Sequence, residues 1–407
     1  MPPRTLIEKL AILSDAAKYD ASCASSGGER RDSSDGKGVG SSGGSGICHA
    51  YAPDGRCISL LKILMTNFCI YDCVYCVNRV SSKVERARFS VEEVVRLTME
   101  FYRRNYIEGL FLSSGIIKSP DDTMADMVRI AKTLREVENF RGYIHLKTIP
   151  DASPELIDEA GKYADRLSIN VELPTERALA ALAPEKSAKG IRQAMGAVRL
   201  KREESREVTH TGKRRARFAP AGQSTQMIVG ADGADDRAIL GQSANLYANY
   251  SLSRVYYSAF SPIPDASKML PLVKPPLMRE HRLYQADWLL RFYGFGVEEV
   301  ASQGMLDLDI DPKTAWAIAN RQAFPVDVNR ATREQLLRVP GFGVKTVDRI
   351  LASRRRGVVR YEHLVAMGAI LKKAKPFITV PGWTARGLEA VDLRARFAPP
   401  PEQFSLF

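Results

Sequence analysis

The fold class this sequence predicts is α/β, a parallel sheet followed by an all-α module, and three observations predict it. Six short apolar, β-rich runs alternate with amphipathic helical patterns between residues 57 and 278. Such alternation makes consecutive strands parallel, because a helix between two strands carries the chain back to the end it started from. Beyond that stretch the strand runs stop, and helical patterns broken by glycine-marked turns take over. A chain of 407 residues has room for two or three such domains.

The strand runs are 57–65 (CISLLKILM), 109–114, 142–149, 166–172, 224–230 and 254–260. Between the first two, Ser90 caps a helix and Glu93, three residues on, completes a capping box. Between the third and fourth, Ser153 precedes Pro154, the residue best suited to a first helical position. Segments 121–137 and 235–249 are also amphipathic. Periodicity by itself leaves a doubly wound sheet and a barrel both open. The resulting division is an N-terminal helix with a Gly/Ser-rich segment (1–56), a sheet domain (57–278), a helical connector (279–305), a compact helical domain (306–380) and a tail (381–407). The Gly/Ser-rich part, 24–46, reads as a flexible linker or as a loop that folds over a ligand. Residues 199–218, charged and mainly basic, read as an exposed helix end and loop, with contact to a nucleic-acid backbone as the sharper reading.

The net charge of +12 is unevenly spread. Between residues 327 and 375 twelve Lys/Arg face four Asp/Glu, a surplus of eight positive charges that suggests a polyanionic partner, DNA or RNA. The first twenty residues look like an amphipathic helix and not a secretory signal. No run reaches the roughly 20 apolar residues a bilayer demands, since Lys62 and Asn67 interrupt the best candidate. A cytoplasmic protein with no membrane partner is expected.

All six cysteines (23, 48, 57, 69, 73 and 76) lie in the first fifth of the chain, which suggests metal or redox chemistry over a disulfide framework. The informative stretch is NFCIYDCVYCVNR, residues 67–79. Cys69, Cys73 and Cys76, at C-x3-C-x2-C, suit three corners of a cubane and leave one iron open to a small molecule. Structural zinc would ask for a fourth ligand, and no second cysteine pair follows. The thiols also follow directly on a strand run, where α/β folds place their sites. Cys23, Cys48 and Cys57 are irregularly spaced, with His49 beside Cys48, and read as inert buried thiols or as ligands of an auxiliary cluster or zinc.

This stretch resembles the signature of the radical S-adenosylmethionine (SAM) superfamily, including the aromatic Tyr75 before the last cysteine. The resemblance implies a partial, TIM-like (β/α)6 barrel, a 4Fe–4S cluster on the three cysteines, and SAM cleaved to a 5′-deoxyadenosyl radical. It also implies an electron donor such as flavodoxin or ferredoxin. By the same resemblance Ser113, Ser114 and Gly115 contact the methionine amine, although the acidic residue usual there is absent. Ser168, Asn170 or Glu172 would bind ribose hydroxyls or the methionine carboxylate, and 227–230 with 257–260 would cradle adenine. If hydrogen must be returned to a substrate, Tyr256 and Tyr257 are the candidate donors.

Residues 327–355 place a leucine-rich helix before Val339-Pro340, a Gly341-Phe342-Gly343 turn, and a second helix from Val344-Lys345. Glycines allow close approach of an anion, and a helix start offers free N–H donors. This resembles the helix–hairpin–helix module, which grips DNA phosphates through residues such as Gly341, Gly343, Val344 and Lys345. Residues 357–376, with Gly368, resemble a degenerate second hairpin. Together with the ASCASSGG and GICHAYAPDGRC leader, the motifs resemble the family of DNA modification/repair radical SAM proteins over nearly the whole chain. That implies radical modification or repair of a nucleotide, alongside a partner resembling a uracil-DNA glycosylase. The readings held beside it are a radical SAM enzyme acting on RNA and a non-enzymatic iron–sulfur sensor that binds DNA.

Overall fold

The computed structural model describes residues 4–17, 46–51, 57–207 and 216–399. In chain order its first unit contains α1 (Leu6–Ala17), β1 (Ile47–Tyr51), β2 (Cys57–Leu64), α2 (Val91–Arg103), β3 (Gly109–Ser113), α3 (Pro120–Glu136), β4 (Tyr143–Lys147) and α4 (Pro154–Tyr163). It continues with β5 (Arg166–Ser168), α5 (Glu176–Leu182), α6 (Ala188–Arg206), β6 (Gly222–Val229), the end of α7 (Asp236–Tyr250) and β7 (Arg254–Ala259). The seven strands form one sheet in the order β1 to β7, curled into a half-barrel. From β2 to β7 every pair is parallel, as the strand–helix alternation requires.

Local chemistry explains the helix starts. Ser90 and Glu93 form the expected capping box, with Ser90 Oγ accepting from Glu93 N at 3.2 Å. Ser119 caps α3, and Pro120 occupies its first turn. Ser153 precedes Pro154 at the start of α4 but makes no side-chain cap; its own N–H donates to Asp121 Oδ1 at 2.6 Å instead. The strand absent from the sequence reading is β1, which runs antiparallel to β2 and pairs Cys48 with Leu60. Five residues next to a Gly/Ser-rich run carry too little periodicity to mark a strand.

The second unit takes residues 235–244 of α7 and everything from Pro276 onward. The expected connector therefore belongs with the C-terminal part. It holds α8 (Leu277–Phe292), α9 (Val297–Val300), α10 (Pro312–Ala319), β8 (Val326–Asp327), α11 (Arg333–Arg338), α12 (Val344–Ser353), α13 (Tyr361–Ala366), α14 (Leu371–Ala374) and β9 (Ile378–Thr379). Leu336, Leu337, Val347, Ile350, Leu364 and Phe377 are central to its core. Two helix pairs, α11–α12 and α13–α14, each turn at a glycine of positive φ, Gly341 at +81° and Gly368 at +89°. The turns are cross-linked: Ile370 N donates to Gly341 O at 3.0 Å, and Thr346 Oγ1 to Gly368 O at 3.1 Å.

The segment expected as a tail packs at least as far as Phe397. Leu388 and Leu393 are buried in the same core, Trp383 stacks on Tyr361, and its indole N–H donates to Lys375 O at 2.9 Å. These apolar residues fall at irregular intervals, so no helical or strand period announces them. Among the described residues no helix is long and apolar enough to cross a membrane.

Candidate functional site

The cysteine loop leaves the carboxyl end of β2 and is stitched to the next strand. Met65 N donates to Ser113 O at 2.7 Å, Gly115 N to Thr66 O at 2.8 Å, and Ile70 N to Ile116 O at 2.9 Å. A Cβ on Gly115 would stand 2.2 Å from Phe68 O, so only glycine lets the two backbones approach this closely. Ser113, Ser114 and Gly115 thus lie against the thiol loop. Within the loop, Cys76 N donates to Cys73 O at 2.9 Å, and Asn78 N reaches Cys76 Sγ at 3.4 Å.

The brace of this loop is Arg86, which carries no sequence signature. Its guanidinium donates to the carbonyls of Asn67, Asn78 (2.9 Å), Arg79 (2.6 Å) and Ser82 (2.9 Å), closing the loop around one planar fork. Arg79 extends the brace by donating to Cys76 O at 3.2 Å and Asp265 O at 2.6 Å.

Burial pushes the Cys73 thiol up to about 12, and the neighbouring Cys76, Glu172 and Cys69 push it the same way. Burial also raises Cys76, against the Asn78 N–H that favours its thiolate. Buried thiols that repel one another's ionisation are thiolates only if positive charge joins them, which a cluster iron supplies. Tyr75, packed among Val77, Leu173, Leu182 and Phe260, has its hydroxyl buried with no hydrogen-bond partner. These features fit a 4Fe–4S cluster on Cys69, Cys73 and Cys76. Among the described residues no three His, Cys, Asp or Glu side chains converge on a single-ion site. A cubane asks for less convergence, because each thiolate binds its own iron.

Glu172 ends the inward-facing row of β5 and its extension, at φ +64°, and forms an ion pair of 2.6 Å with Lys186. Burial alone would lower Lys186; Glu172, with Tyr75 and Cys73, more than reverses that and holds it well above its ordinary value. Lys186 is the second functional side chain that sequence reasoning missed. Ser168 and Asn170 line a narrow cavity inside the barrel, with room for about one water molecule, together with Phe111, His145, Lys147, Gln226 and Tyr256. Tyr257, the neighbour of Tyr256 on β7, is fully buried and by the alternation of the strand faces the opposite side. Of the expected adenine segments, Ile228 and Phe260 pack in the cluster that contains Tyr75, whereas Met227 is fully buried elsewhere.

Cys48 packs beside Ile58, Leu60 and Phe111, and Cys57 is exposed at the far end of β2 from the thiol loop. Cys23 lies outside the described residues. In the second unit, Gly343 is the N-cap of α12 and Lys345 is exposed in its first turn. The Tyr293 hydroxyl lies beside the Gly343 backbone, 3.7 Å from where a Cβ would stand, and buried Lys313 donates to Phe342 O at 2.6 Å. The start of α12 is therefore partly occupied from within, and Lys345 is the group best placed to meet an outside anion.

A half-barrel with three thiols in the loop after β2, and no fourth protein ligand converging on them among the described residues, fits an iron–sulfur site with an open coordination position. Residues 63–236 match the family described as the Radical SAM superfamily. Enzymes with this domain use a 4Fe–4S cluster and SAM. No curated protein matches the chain. Among solved structures it is similar to HydG, a maturase of the [FeFe]-hydrogenase, at 16% identity and a TM-score of 0.42, covering 60% of this chain and 54% of that one. It is similar to methylornithine synthase (PylB) at 14% identity and a TM-score of 0.41, covering 55% and 61%. It is also similar to coproporphyrinogen III oxidase (HemN) from Escherichia coli, a radical SAM enzyme, at 14% identity and a TM-score of 0.35, covering 62% and 56%. The alignments thus span 54% to 61% of those chains.

Proposed function

We propose that this chain is a radical SAM enzyme that modifies or repairs DNA. The observation that carries the reading is the joining, in one chain, of the three-thiol loop with two cross-linked glycine-turn helix pairs in a segment bearing a surplus of eight positive charges. Paired hairpins of this shape support the helix–hairpin–helix assignment, with Gly341, Gly343, Val344 and Lys345 as the phosphate contacts.

Cys69, Cys73 and Cys76 hold the cluster, which when bound supplies the electron that cleaves SAM to a 5′-deoxyadenosyl radical. Ser113, Ser114 and Gly115 form the wall for the methionine amine. Tyr75 closes the apolar side, and Ser168, Asn170 and Glu172 offer hydrogen-bonding partners within the barrel. Lys186 pairs with the Glu172 carboxylate beside the loop. The Tyr256 hydroxyl, which lines the cavity, is the better placed of the two candidate hydrogen donors. A nucleotide must leave the stack to reach this enclosure, so an extruded or terminal nucleotide is the substrate form. A flavodoxin or ferredoxin supplies the electron, which places the reaction in the cytoplasm. A uracil-DNA-glycosylase-like protein is a further partner in this reading.

The test is anaerobic reconstitution, reduction with dithionite, and assay of 5′-deoxyadenosine with and without DNA. The reading expects formation that requires all three cysteines and rises with DNA but not with matched RNA. Stimulation by RNA instead would move the substrate class. No cleavage by an intact, reduced cluster would leave a DNA-binding sensor.

A further inference from the structure

The C-terminal end of α8 turns two large aromatic side chains to solvent. Trp288 is 52% and Phe292 41% exposed, although the same helix buries Leu283, Ala286 and Leu289. They stand one turn apart, with ring centroids at 4.3 Å and planes tilted by 49°. The Arg291 guanidinium lies over the Phe292 ring at 4.9 Å. A single exposed apolar residue asks for no explanation; two rings in contact on the surface, beside a guanidinium, form a patch.

What the patch adjoins gives it meaning. Tyr293 follows Phe292 in the chain, and its hydroxyl lies beside the Gly343 backbone, 3.7 Å from where a Cβ would stand. Burial raises that hydroxyl, and the nearby Val344 N–H and Trp288 indole act the other way. Arg338, the last residue of α11, fixes the junction. Its guanidinium donates to Tyr293 O and Gly294 O at 3.1 Å each and lies 3.7 Å over the Phe295 ring. The end of α8 is thus tied to the first glycine-turn pair, and the rings lie close to the start of α12. Around the two turns Lys345, Arg349 and Lys372 are exposed, and none meets a carboxylate among the described residues.

We propose that Trp288 and Phe292 form a stacking platform for one unpaired base of the bound strand, adjoining the phosphate grip at the start of α12. A nucleotide joins a flat apolar ring to an anion, which is the chemistry that rings and unpaired cations set side by side would recognise. A second copy of the chain, at a net charge of +12, would bring like charge to those cations. A base that has left its stack loses contact with its neighbours, and rings offered beside the backbone grip replace that contact. The inference rests on the DNA reading given above and narrows it to strands with an unpaired nucleotide.

The experiment uses the full-length, reconstituted chain and three DNA probes: a fully paired duplex, the same duplex with one unpaired nucleotide, and that duplex with the unpaired nucleotide abasic. The abasic probe keeps the phosphates and lacks only the ring. Binding is followed by anisotropy of labelled probes and by quenching of tryptophan emission. The unpaired-base probe binds about 10–100-fold tighter than its abasic counterpart and quenches the emission. Trp288→Ala removes the preference and the quench while paired-duplex binding stays at the parent's level, and Trp288→Phe keeps the preference. Lys345→Ala weakens all three probes alike, because its partner is phosphate. Equal affinity for the unpaired-base and abasic probes, or a preference that survives the double variant Trp288→Ala, Phe292→Ala, overturns the proposal. So does a dimer in sedimentation that Trp288→Ala dissolves, since the rings then serve a second copy. If all three probes bind through Lys345 with no base preference, the platform alone fails; if none binds, the DNA reading itself fails.

Discussion

Replacing Arg86 with Gln is the sharpest test of how the cysteine loop is held. Arg86 donates to four backbone carbonyls that no other side chain brings together. A hydrogen bond from a charged donor contributes about 1.5–3 kcal/mol net, and four that share one guanidinium do not add. The side chain is only partly buried and the freed carbonyls can return to water. The loop should therefore lose about 2–4 kcal/mol of its closure, with little effect on the sheet. The barrel keeps its far-ultraviolet circular dichroism. Iron, however, is retained about 10–100-fold less tightly, as when a group orienting the ligands of a metal site is removed. Iron per chain after reconstitution, and the rate of loss to a chelator, measure this directly. Arg86→Lys should fall between, since one ammonium cannot span the planar fork. Wild-type iron content and wild-type loss rate in Arg86→Gln would refute the idea that this residue sets the loop's geometry.

Three further outcomes follow from individual contacts. Glu172→Gln leaves Lys186 charged without its carboxylate; breaking a buried pair costs about 3–5 kcal/mol, and the partly exposed lysine puts this case near the lower end, readable by denaturant titration. Burial lowers Lys313 from 10.5 to about 7, so between those values the unfolded chain binds a proton that the folded chain has shed. Stability of the C-terminal unit should rise with pH across that window, and Lys313→Met should remove the slope from the melting temperature. Gly341→Ala puts a Cβ 2.5 Å from Ile370 O at φ +81°; a cost of about 2–4 kcal/mol, with weakened DNA binding in a gel-shift assay, is expected.

The parts legible in the sequence were those with a local signal. The cysteine loop announces itself by spacing, and α2 by the Ser90–Glu93 capping box, which forms as expected, whereas Ser153 at the start of α4 makes no side-chain cap. The inward cations were harder to read. Lys62, Lys147 and Arg166 sit in strands buried on both faces, so their charges look like interruptions of an apolar run until the register places them on one wall. Arg86 and Lys186 were silent for another reason. One binds backbone carbonyls, which any sequence provides; the other meets Glu172 fourteen residues away across a turn and a helix. Val344 illustrates a third limit. Sequence identifies a helix start with free N–H groups, but only the fold brings the Tyr293 hydroxyl close beside it.

Every strand of the large sheet pairs with its neighbours in the chain, from β1 to β7 in order. Such a sheet needs no late strand to complete an early one, so it can be assembled in the direction of synthesis with short searches at each step. The Arg86 brace and the Gly115 contact need only β2, β3 and the loop between them. Val74 N reaching Leu182 O, Arg79 reaching Asp265 O and Tyr75 packing against Leu173 and Phe260 all wait for later segments, so the three sulfur atoms gain their final setting only as the end of the sheet closes over the loop.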